Sequence, residues 1–168
     1  MQTPAVNSSQ INAVSSDLSR IVGEQALLKL ALDSIQTLEL VELQNAARRM
    51  PGFRPQMMLT LLAYCYSSSL YGSKDIDWAL ENDRTLRYIC GRMRPDWQSL
   101  RRFRRKNRDL LFQCLVYVMK QTWALKFDQG EADYVGYEWF ESNLLENLNQ
   151  GARERIELAA LMDGVESE

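Results

Sequence analysis

Residues 55–70 read PQMMLTLLAYCYSSSL. Met57, Met58, Leu59, Leu61, Leu62, Ala63, Tyr64, Cys65 and Tyr66 point in every direction of a 3.6-residue period, so this helix has no polar side to give to water. A short helix that is apolar all round is a buried one, and it is predicted here as the central post of the core. Pro55 suits the first turn of that helix, where a missing N–H costs nothing, and Pro51-Gly52-Phe53-Arg54 breaks the chain before it. The apolar run 57–66 is about half the length needed to cross a bilayer.

Working outward, both flanks read as helices. On the N-terminal side, residues 1–16 are polar and read as a flexible arm. Leu18, Ile21, Val22, Leu28 and Leu32 then recur at helical spacing over about residues 17–32, with Ser16 or Asp17 as cap. A second helix is expected over 37–50, with Arg48 and Arg49 suiting its C-terminal dipole. On the C-terminal side, Gly72 suits the end of the post and Ser73 the cap of a helix over 74–80. A short helix over 83–89 closes at Gly91. Asp96 then caps a helix opening at Trp97, which runs with a bend at Asn107 to about Lys126. Further helices are predicted over 133–149, ended by Gly151, and over 152–162. No stretch alternates with period two between hairpin turns, so the fold class is all-α. The expected organisation is an arm (1–16), a helical domain (17–126) and an acidic helical appendage (127–168).

Composition narrows function by exclusion. The 168-residue chain contains no histidine, which removes imidazole acid–base chemistry and imidazole metal ligands. Cys65, Cys90 and Cys114 are widely spaced and apolar in context, and read as buried thiols of a reducing compartment. There is no Gly-rich phosphate loop and no nucleophile elbow. The pairs Glu39/Glu42 and Asp128/Glu131 stand without companions and read as surface. No catalytic residue, metal or cofactor is expected. The polar N-terminus lacks a signal-peptide core, so the expected location is cytoplasmic.

What remains is charge. Ten of the twenty Lys and Arg residues lie between Arg84 and Arg108, against one acid, Asp96, although the whole chain is at −2. Arg101, Arg104, Arg105 and Arg108 follow an i, i+3, i+4, i+7 spacing that places four guanidiniums on one helix face, with Leu100 and Phe103 turned inward. Arg92, Arg94, Arg102 and Lys106 flank them. Guanidinium is the side chain best shaped for bidentate phosphate contacts. An anionic partner is expected, either a nucleic acid (duplex DNA, or RNA) or an acidic protein. The acidic segment Asp128–Glu146 of a second copy fits the latter, which would make the chain a homo-oligomer. The same acids could instead pair with the stripe internally. The order of helices over 74–80, 83–89 and 97–106 resembles a helix-turn-helix layout.

Residues 53–117 resemble the InsH-type N-terminal domain of bacterial insertion-sequence transposases. The resemblance is carried by Arg54-Pro55 and the apolar helix after it, by Tyr71-Gly72-Ser73-Lys74-Asp75-Ile76, and above all by Arg94-Pro95-Asp96-Trp97-Gln98-Ser99-Leu100-Arg101-Arg102-Phe103-Arg104-Arg105. It implies a helical domain that helps bind transposon DNA. In that family an RNase H-like domain with an Asp-Asp-Glu triad follows. The residues after Lys126 are too few to form one, so binding without catalysis is expected, with a separate transposase catalytic subunit as a further partner.

Overall fold

A computed structural model describes residues 17–128 and 134–166, with side chains over 17–126 and 146–164. The predicted N-terminal arm therefore lies outside the described residues, as do the side chains of Asp128, Glu131, Asp133, Glu138 and Glu141. Every regular element among the described residues is helical: α1 Ser19–Val22, α2 Glu24–Ser34, a 3-10 turn Ile35–Thr37, α3 Leu40–Arg49, α4 Pro55–Ser67, α5 Ser73–Ala79, α6 Arg84–Cys90, α7 Trp97–Lys106, α8 Arg108–Asp128 and α9 Tyr134–Glu166. The protein is all-α.

Helix α4 is the post that its composition demands. Every residue from Met58 to Ser67 is buried, and α4 packs against α2 and α8 to form the centre of the core. Helix α9 closes over α8, α4 and α5. Helix α6 rests on α4, while α7 sits across α5 and α4. The caps explain why the short helices form. Asp83 Oδ1 accepts from the N–H groups of Thr85 and Leu86 at 2.9 and 3.1 Å, and Gly91 ends α6 at φ +60°, a conformation that favours glycine.

Three boundaries differ from the sequence expectation. The first predicted helix is broken at Gly23, which takes φ +90° and splits it into α1 and α2. Gly72 adopts φ −66° and stands before α5 rather than ending α4 in the left-handed region, and Ser73 is the first residue of α5, not its cap. The cap is supplied from 90 residues away by Asp163. Gly151 does not stop a helix, because α9 runs through it. Leu148, Ala152, Ile156 and Ala159 of α9 join the same apolar cluster as α4, and that burial outweighs the roughly 1 kcal/mol that a mid-helix glycine costs.

The three cysteines are buried and unbridged. Burial pushes Cys90 and Cys114 up to about 11 from an ordinary 9.0, and pushes Cys65 up as well. Because the folded state holds these protons more tightly than the unfolded chain, their stabilising effect is complete below pH 9. It should fade as pH rises from there towards about 11. A melting-temperature profile should be flat with respect to these groups below pH 9 and fall above it, and Cys114→Ala should shallow the fall. An equally steep fall in that variant would assign the alkaline loss to other groups.

Candidate nucleic-acid interface

The basic segment is presented by α7 and the turn that leads into it. Asp96 Oδ1 accepts from Ser99 N–H at 2.7 Å, a hydrogen bond that also holds the Asp96 carboxyl below its usual range. Asp77 of α5 adds a second restraint, its Oδ2 accepting from Trp97 N–H at 3.0 Å. Lys74 Nζ lies 4.8 Å from the Trp97 ring centroid, within reach of a cation–π attraction. Trp97 is half-buried, and these two contacts tie it to α5 on one side. On the inner face of α7, Leu100 and Phe103 are buried in the core.

Arg104 is buried too, and this overturns the single four-guanidinium stripe. It is 4% exposed and pairs with Asp163 of α9. Asp163 also accepts from Ser73 N–H and Oγ, both at 2.8 Å. Desolvation alone would lower Arg104, but the hydrogen bonds and charges of Asp163 and Tyr66 together outweigh it, and the guanidinium is held firmly charged. The helix also stops one residue short of the predicted register, at Asn107, whose side-chain Nδ2–H donates to Phe103 O at 3.1 Å. Arg108 thus opens α8 instead of continuing α7. The spacing rule failed because it counts angle around one helix axis and knows nothing of a carboxylate arriving from elsewhere.

The remaining cations fall into three groups. Arg101, Arg102 and Arg105 line an open groove along α7 with Trp97 and Gln98. Arg105, Lys106 and Arg108 line a second hollow at the α7–α8 junction, joined by Arg49 from α3, with Glu42 and Asp109 also on its wall. Arg92 and Arg94 line a third hollow with Glu81 and Met93. Here Arg94 Nη2 donates to Glu81 Oε1 at 2.8 Å and to Asp77 Oδ1 at 3.4 Å, so its charge is engaged by two carboxylates and its pKa is raised by them. Arg49, Asp77 and Asp163 are the residues that local sequence reasoning passed over. Only Arg49 carried a signal, its own charge at the end of α3.

Among the described residues, no group of three His, Cys, Asp or Glu side chains is placed to hold a metal ion. No helix among them is long and apolar enough to cross a membrane.

The described residues form an all-α scaffold that presents an arginine-rich helix. Residues 20–106, just over half of the chain, match the family described as Transposase domain (DUF772), and the chain belongs to that family. No curated protein and no solved structure matches the chain.

Proposed function

We propose that the domain binds the phosphate backbone of duplex DNA through α7, in a role associated with transposition, and that it performs no chemistry of its own. Arg101, Arg102 and Arg105 are the primary contacts, with Lys106 and Arg108 continuing them and Arg92 and Arg94 at the flank. In this reading α5, α6 and α7 act as a helix-turn-helix-like unit with α7 as the presenting helix. The observation that carries the proposal is that Arg101, Arg102 and Arg105 line one open groove beside Trp97, on a helix held rigid by Leu100, Phe103 and the Arg104–Asp163 pair. Family membership supports DNA as the anion.

The test is the salt dependence of affinity for a short labelled duplex of random sequence. Converting Arg101, Arg102 and Arg105 to alanine together should flatten the slope of log affinity against log salt by about 0.9 for each phosphate that is no longer neutralised. An unchanged slope, or no binding near roughly 50 mM salt, would sink the proposal. Salt-sensitive self-association without DNA binding would favour an acidic protein partner instead.

A further inference from the structure

We propose that Arg49 completes a second phosphate seat at the α3–α7–α8 junction, and that Arg105 joins it to the α7 groove as one continuous track. The inference rests on the backbone-binding reading and extends it to an element outside the helix-turn-helix-like unit. Arg49 Nη1 donates to Asn107 Oδ1 at 3.0 Å and to Lys106 O at 3.4 Å, and Lys106 Nζ donates back to Arg49 O at 3.4 Å. Two cations are thus clasped side by side through the C-terminal ends of α3 and α7.

Like charges gathered this way repel, and what tolerates them here is the partial negative charge of two helix C-termini. Neutral oxygens take the hydrogen bonds, so the guanidinium charge is positioned without being cancelled. Glu42 and Asp109 share the hollow, yet among the described residues neither forms an ion pair with Arg49, Arg105, Lys106 or Arg108. The Asn107 side chain, 2% exposed, makes a rigid floor. Arg105 lines both hollows. At about 1.5 Å per residue, α7 spans about 14 Å from Trp97 to Lys106, the axial length of about four nucleotide steps of one strand. One strand can therefore be followed from the groove round the end of α7 to Arg49.

The experiment pairs duplex binding with a DNA-free probe. Arg49→Gln and Arg108→Gln should each flatten the salt slope by about 0.9, while Arg49→Lys, which keeps the charge, should hold the slope near that of the parent. Pyrophosphate titration should shift the NMR signals of Arg49 Nε and the Asn107 side-chain amide. Slopes unchanged in both Gln variants, beside a flattened slope in the Arg101/Arg102/Arg105 variant, would overturn the seat and leave the α7 reading standing. Pyrophosphate shifts at the junction without duplex binding would keep the seat as an anion site and remove the DNA reading. Loss of melting temperature in Arg49→Gln with the slope intact would assign Arg49 a purely structural role.

Discussion

Asp163→Ala should lower the stability of the fold by about 3–5 kcal/mol, the usual cost of stripping one partner from a buried ion pair. The carboxylate does three jobs from a position 2% exposed. One oxygen caps α5 through Ser73 N–H. The other takes Ser73 Oγ–H and the Arg104 guanidinium. Without it Arg104 is left as a buried cation without its counter-ion, and the first N–H of α5 is orphaned. Urea midpoints at constant m-value measure the loss. Arg104→Met combined with Asp163→Leu should recover only the part that comes from the uncompensated charge, because Ser73 N–H and Oγ–H still lose their acceptor. A single-variant loss below about 1 kcal/mol would place the pair in the range of solvent-exposed ion pairs. The consequence for binding is positional. The pair fixes α7 to α9, so the groove of Arg101, Arg102 and Arg105 is supported from behind by a residue that no phosphate would touch.

How much of this was legible in the sequence follows from the range of each interaction. Local rules find α4, because a helix apolar all round has one possible environment. They also find α6 and α7, because Asp83, Asp96 and Gly91 act within three residues of themselves. Short-range reasoning fails wherever a distant residue changes the local preference. Gly151 reads as a stop until Leu148, Ala152 and Ile156 are seen to be buried together. Arg104 reads as one of four equivalent arginines until Asp163 is placed beside it. Arg49 and Lys106 are 57 residues apart, and neither spacing nor composition hints that they meet. The motif residues Tyr71 and Ser73 belong to the same lesson. In the sequence they read as punctuation between two helices, and in the fold they are the points that α9 grips, Ser73 through Asp163 and Tyr71 through Arg155.

Arg155→Ala should be comparably damaging, by about 3–5 kcal/mol, for a different reason. Arg155 heads the largest fully buried side chains in the described structure, at 1% exposure. Its Nη1 donates to Tyr66 O at 2.5 Å, Ser67 O at 3.4 Å and Tyr71 Oη at 3.3 Å. Helix α4 ends there, and a helix leaves its last four carbonyls without partners of its own. Ser68 and Leu70 N–H serve Tyr64 O and Cys65 O, and Leu18 N–H serves Ser67 O. Tyr66 O falls to Arg155, whose charge also suits the negative end of the α4 dipole. Burial pulls the Arg155 pKa below the ordinary arginine value, and the nearby Tyr71, Asp17 and Glu154 oppose that pull. A graded series separates the contributions. Arg155→Met keeps most of the volume and abandons the carbonyl, so it should cost about 1–3 kcal/mol. Arg155→Lys restores a charged donor and should fall nearer the parent than Met does. Methionine as harmful as alanine would mean that the hydrogen bonds, not the filled volume, hold α9 against the end of α4. Methionine as stable as the parent would mean that the packing alone does so.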